Sequence, residues 1–206
     1  GASNNNDSNN YFSFALELAD GSRKEVLGGT PTANNWHFVV GTYDGSNIKL
    51  YVDGQFIGQT SASGNIAGAA GATYLGAYNK ANDHYLNGKI DEISIWNDGL
   101  TANEITSLYN SGNGLETSSN SGNYTSSGNL QLYYNFNEGT GTTLTDQSSN
   151  SNNGTISGAS WELRNQSPVA SAVAGTTAED TDFSGSLSGS DADGDALTYA
   201  IASNPS

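Results

Sequence analysis

Two Asp-Gly pairs, Asp44-Gly45 and Asp53-Gly54, bracket a short apolar-alternating run in "NWHFVVGTYDGSNIKLYVDGQFIG". Asp-Gly readily takes the positive-φ positions of a tight hairpin turn, so the runs on either side pair antiparallel. Within them the side chains alternate. Ile48, Leu50 and Val52 interleave with Lys49 and Tyr51; Trp36, Phe38 and Val40 share one face, with His37, Val39 and Tyr43 on the other. A ribbon of this kind carries an apolar face that a second layer must cover, so the chain is expected to fold as successive antiparallel hairpins packed against another layer. "YFSFALEL", turned by "DGS" at 20–22, supplies another hairpin strand, and "TYLGAY" and "GKIDEISIW" are expected to complete the set. Only 13% of the residues are charged and 26 are Gly, which suits short strands and tight turns rather than helical bundles or α/β layers.

One helix is expected. In "LTANEITSLYNSG", Thr101 and Glu104 fit a capping box, Ile105, Leu108 and Tyr109 form the apolar side, and Gly112 is the stop. Trp36, Trp96 and Trp161 read as core. Residues 111–129 are a Ser/Asn/Gly loop. "LYYNFNEGTGTTLTDQSSNSNNGTISGASW", Leu132–Trp161, has the pattern of a sandwich's opening segment yet follows its closing strands. The expected organisation is a domain over residues 1–163 that lacks its N-terminal strands, with 130–162 packing back onto it. A linker at 164–168 and a partial second domain at 169–206 follow.

The balance of 21 acidic against six basic residues, a net charge of −15, leaves no basic patch for phosphate, so nucleic acid is excluded as a partner. Anionic lipid surfaces are disfavoured for the same reason, while divalent cations suit the acidic surface. No Cys is present, which removes disulfides and thiolate chemistry. No stretch approaches the ~18 consecutive apolar residues of a membrane span, so membrane insertion is not expected.

Taken in order, the Trp-His pair, the "TYDG…LYVDG" hairpin, "NGKIDEISIW" and "LTANEITSLYNSG" resemble the laminin-G-like, pentraxin-like branch of concanavalin-type jelly rolls. The resemblance spans roughly residues 11–162. "NFNEGTGTTLTDQSSNSNNGT" is similar to the family's opening segment. "NQSPVA", "AED" and "SGSDADGDALTYA" resemble the start of a bacterial cadherin-like repeat. The fold class implied is all-β: a concanavalin-type jelly-roll β-sandwich with one short helix, plus a truncated β-sandwich repeat at the C-terminus. The resemblance further implies a multidomain bacterial protein, secreted or at the cell surface.

Three groups of residues could carry chemistry. Asp91 shares strand parity with Ile93 and Ile95, which would turn its carboxylate toward the core side, where it needs a partner: calcium, backbone N–H groups or Lys89. The family resemblance implies calcium at the corresponding acid, aided here by Asp146 or Glu138. Asp191, Asp193 and Asp195 in "DADGD" crowd negative charge that a cation would relieve; the spacing is not that of an EF-hand, and a solvated acidic turn is the alternative. The cadherin-like resemblance adds Glu179 to that set. The loop "AYNKANDHYLN" gathers Tyr78, Asn79, Asp83 and His84, an aromatic face with amide, carboxylate and imidazole groups of the kind that recognise sugar CH faces and vicinal hydroxyls; a ligand-free Asn-rich hairpin is the alternative.

Catalysis is not expected. Asp91 and Glu92 are adjacent and so lie on opposite faces of a strand, unlike the paired acids of a glycosidase strand, and no "HExxH" or "GxSxG" occurs. The expected function is non-catalytic carbohydrate binding, calcium-stabilised, within a larger extracellular adhesin or polysaccharide-degrading protein. A neutral glycan fits the acidic surface better than an anionic one, and the remaining partners are other domains of the same protein. A structural spacer or self-associating filament subunit without glycan binding is the rival.

Overall fold

The structure, a computed structural model, describes residues 10–68, 71–77 and 85–162, and further along 168–171, 176, 178, 181, 185–191 and 196–199. Its centre is an antiparallel sheet of β3 (Val39–Tyr43), β4 (Asn47–Val52) and β5 (Gln55–Ser61), in that order. Both Asp-Gly pairs make the turns. Asp44 Oδ1 accepts the N–H groups of Ser46 at 3.0 Å and Asn47 at 2.7 Å, while Asp53 (φ 51°) and Gly54 (φ 75°) both occupy the left-handed region that a two-residue hairpin turn requires.

The alternation along β4 divides its side chains between two layers. Ile48, Leu50 and Val52 are buried against Leu18, Val26 and Ala62, with Phe12, Phe14 and Ile57 packed around them. This layer is the hairpin of β1 (Phe12–Glu17) and β2 (Arg23–Gly28), paired in the register Phe14↔Val26. Residues 65–67 run antiparallel beside the end of β1, through Ala19 N–H to Asn65 O and Ala67 N–H to Glu17 O. Gly41 is dictated by this packing: a Cβ there would lie 2.3 Å from the Phe14 ring.

On the opposite face, Val40 and Tyr51 pack with Leu100, Ile105, Leu108 and Tyr124, flanked by Phe38, Trp96 and Leu115. Helix α1 (Ala102–Tyr109) covers this side. Its capping box is complete, with Thr101 and Glu104 bonded reciprocally. The helix lies so close to the β4–β5 turn that a Cβ on Gly54 would be 2.9 Å from the Tyr109 ring. Asn110, in the left-handed region at φ 46°, ends the helix, two residues before the expected stop at Gly112.

Beyond the helix, β7 (Leu130–Tyr134) pairs antiparallel with β6 (Ile93–Trp96), and β8 (Thr143–Leu144) pairs with β9 (Gly154–Thr155). All these elements lie in one compact unit, residues 1–138 and 142–156. The second unit comprises residues 139–141 and 157–206. In it β10 (Val169–Ala170) pairs antiparallel with β11 (Gly189–Ser190), and the half-buried Trp161 donates its indole N–H to Gly141 O at 2.8 Å. The chain is thus mostly antiparallel β-strand with one short α-helix among the described residues, consistent with a concanavalin-like sandwich.

Several expected strands are shorter than their pattern. β3 begins only at Val39, after a turn at Asn34 (φ 61°), and Trp36 is 64% exposed rather than core. β6 begins only at Ile93, because Glu92 (φ 54°) breaks the extended conformation. Its inward residues are Ser94 and Trp96, and Ile95 is 47% exposed. The parity that grouped Asp91 with inward-facing Ile93 and Ile95 therefore does not hold. In "TYLGAY" the described residues make only the bridge Ala77↔Tyr85.

Candidate functional site

The break at Glu92 separates two adjacent acids. Asp91 is half-buried, and its Oδ1 accepts the Glu92 N–H at 3.1 Å. Glu92 accepts the Tyr133 hydroxyl at 2.6 Å. Burial first, then that hydrogen bond and the negative charges of Glu92, Glu116 and Asp91, push the Tyr133 phenol far above its ordinary value. Tyr133 is held as a neutral donor, and Glu92 is its acceptor.

Asp146 is buried, and its carboxylate is fully engaged. Oδ1 accepts the N–H groups of Tyr133 and Ser148, both at 2.9 Å; Oδ2 accepts the Asn152 N–H and the Ser148 hydroxyl, both at 2.8 Å. Burial raises its pKa, but the donors from Tyr133, Ser148 and Asn152 outweigh burial and leave it below the ordinary value. Four donors fill the roughly four lone-pair positions of a carboxylate, so the residue ties the 146–152 loop to β7 and has no oxygen left for a cation. The role of calcium ligand expected for Asp146 does not fit this geometry.

Glu138 differs. Its Oε1 accepts the Thr145 N–H at 2.7 Å, whereas Oε2 is shielded from solvent without a hydrogen-bond partner. Among the described residues no three His, Asp or Glu side chains gather into a metal-holding group. Asp191 is half-buried; Asp193, Asp195 and Glu179 lie outside the described residues.

Tyr78, Asn79, Asp83 and His84 also lie outside the described residues. The frame of their loop is described: the Ala77↔Tyr85 bridge closes it, Leu86 N–H donates to Gly76 O at 2.8 Å, and Tyr85 is 64% exposed. Tyr85 is therefore a largely exposed aromatic at the loop's edge.

A second exposed aromatic, Trp36, sits on a loop that is clamped at both flanks. His37 Nε2 lies 3.2 Å from the Thr32 N–H and 2.9 Å from Thr32 Oγ1, and Nδ1 lies 2.8 Å from Asp53 Oδ2. An amide N–H can only donate, so Nε2 is the acceptor and Nδ1 carries the proton donated to Asp53. The other Asp53 oxygen accepts the Phe38 N–H at 2.9 Å, and the Asp53 N–H returns to Phe38 O at 2.8 Å. The order hydroxyl–imidazole–carboxylate is that of a nucleophilic triad. Here, however, the Nε2 lone pair is shared with a backbone amide, and the imidazole serves as a clamp between the loop and the β4–β5 turn. Period-two reading hid this feature by running the strand through Trp36. The "ANN" before it, rich in a residue that tolerates the left-handed region, was the available signal.

A family described as the concanavalin A-like lectin/glucanases superfamily, Laminin_G_3, matches residues 3–106, half of the chain. A crystal structure of an S-layer domain-containing protein (residues 221–444) from Clostridium thermocellum is similar at 24% identity with a TM-score of 0.34. The alignment covers 47% of this chain and 50% of that one, so the chain spans about half the length of that structure. No curated protein matches the chain.

Proposed function

The chain belongs to the concanavalin A-like lectin/glucanases superfamily, and from that premise we propose that it is a non-catalytic carbohydrate-binding module of a larger extracellular protein. Family membership is the observation that carries the reading. Two features support it. The Ala77↔Tyr85 bridge flanks a stretch whose sequence is rich in amide and aromatic groups, and Tyr85 beside it is exposed, which suits Tyr78, Asn79, Asp83 and His84 to a sugar. The net charge of −15 repels sulfated and uronic polymers and favours neutral glycans.

The module acts by binding, on this proposal, and two of its acids, Glu92 and Asp53, are committed to structural contacts. Glu92 accepts the Tyr133 hydroxyl, and the Thr32–His37–Asp53 line clamps a loop. The proposal includes no calcium ion on Asp146. A calcium-bridged sugar contact through other oxygens would appear as binding that a chelator removes.

The test is a glycan array probed with the labelled chain, in calcium and again in chelator. Specific, reproducible binding to neutral oligosaccharides is the expected result. Silence on the array together with concentration-dependent self-association would replace the reading with that of a structural subunit, and release of reducing ends from a bound glycan would overturn its non-catalytic part.

A further inference from the structure

We propose that Trp36 is the aromatic floor of a carbohydrate subsite of its own, separate from the 78–85 loop and built on the 29–37 loop. This rests on the carbohydrate-binding reading above and names a place where a neutral sugar ring would sit. The first observation is exposure. Trp36 is 64% exposed, although Trp is a residue that proteins bury extensively, and an exposed large apolar side chain is the informative exception.

The second observation is that the loop around it is fixed rather than loose. Thr32 is bound to His37, His37 to Asp53, and Phe12 contacts the His37 ring edge-on at 5.3 Å between centroids. Phe12 N–H also donates to Gly29 O at 3.2 Å, holding the loop's start. Asn34 takes the left-handed conformation at φ 61°, which this residue type tolerates at a turn. A surface indole on a pre-ordered loop loses little conformational freedom when a ligand covers it.

The third observation is the polar chemistry on the same loop. Asn35 Nδ2 donates to Thr32 Oγ1 at 3.1 Å and Ala33 O at 3.3 Å, which fixes the amide and leaves its carbonyl oxygen to accept. Thr32, Asn34 and Asn35 are all exposed. A loop that carries an exposed apolar ring together with fixed amide and hydroxyl groups offers the two kinds of group a sugar ring needs, whose CH face is apolar and whose rim carries hydroxyls that donate and accept. None of these loop residues is charged, so the ring taken would be neutral.

The experiment measures binding of cello-, laminari-, manno- and xylo-hexaose by calorimetry for the wild type, Trp36→Ala and Tyr85→Ala, with sedimentation of each protein alone. The expected result is that the wild type binds at least one of these glycans and that Trp36→Ala weakens it at least tenfold with an unchanged melting temperature. Undiminished binding by Trp36→Ala, with or without loss in Tyr85→Ala, overturns the Trp36 subsite and leaves carbohydrate binding standing. No binding by the wild type to these glycans or on the array removes both. Self-association of the wild type that Trp36→Ala abolishes, without a glycan effect, would assign the ring to a second copy and overturn the proposal.

Discussion

Trp96 and Trp36 stand in the same sequence context, each at an apolar-parity position of a strand-like run, and the fold treats them oppositely. Trp96 lies on β6 against the helix-side core, its ring edge-on to Tyr124 at 6.4 Å and its indole N–H donated to the Tyr124 hydroxyl at 2.9 Å. That hydroxyl donates onward to Thr117 O at 2.9 Å, so the polar end of each ring is satisfied inside the core. Trp36 has the same apolar area but is 64% exposed among the described residues, on a loop that turns at Asn34 and is tied to the β4–β5 turn through His37 and Asp53. Periodicity states which side chains share a face. Whether anything covers that face depends on the next layer.

The comparison breaks most decisively at Trp96. Trp96→Ala removes a half-buried ring and leaves the Tyr124 hydroxyl without one of its partners, and it should destabilise the fold by about 3 kcal/mol, read from denaturant unfolding. A change below about 0.5 kcal/mol would mean that the helix-side core does not depend on this ring.

Glu104 gives the next largest effect on the same side. Burial pushes its carboxyl up, but the Ser126 hydroxyl, the Thr101 N–H and hydroxyl, and the Thr125 N–H outweigh burial and hold it at about 2, below its ordinary 4.5. A depressed carboxylate stabilises the fold fully above its unfolded value and loses that contribution as pH falls toward the folded one. Stability on the order of 3 kcal/mol should therefore disappear between about pH 5 and pH 2. Glu104→Gln should flatten that part of the pH profile, and an equally steep profile in the variant would place the acid sensitivity elsewhere. The smallest effect belongs to the other tryptophan: Trp36→Ala should change stability by less than about 0.5 kcal/mol, and a larger loss would show that the ring packs in solution.

The central sheet was legible because its turns and its alternation agree. Asp44-Gly45 and Asp53-Gly54 set the hairpins, and Ile48, Leu50 and Val52 fall on one face as their spacing requires. The helix was legible for the same reason, since Thr101, Glu104, Ile105 and Leu108 combine a cap with a face. What escaped was conformational: Glu92 and Asn34 adopt left-handed backbone that no periodicity encodes, and both β6 and β3 begin later than their patterns. Asp146 escaped for a different reason. Asp146 reads as a ligand in sequence, and only the positions of Tyr133, Ser148 and Asn152 show that backbone donors fill it.

The most direct test of the account uses the three indole N–H groups as reporters. A proton–nitrogen correlation spectrum of the labelled chain contains one indole signal for each of its three tryptophans, assigned by Trp36→Phe and Trp96→Phe. Titration with the tightest-binding neutral hexaose should shift the Trp36 signal in a saturable manner and leave the Trp96 signal, locked to Tyr124, in place. Saturation of the glycan site with the Trp36 signal unmoved, or with the Trp96 signal moving instead, would contradict it.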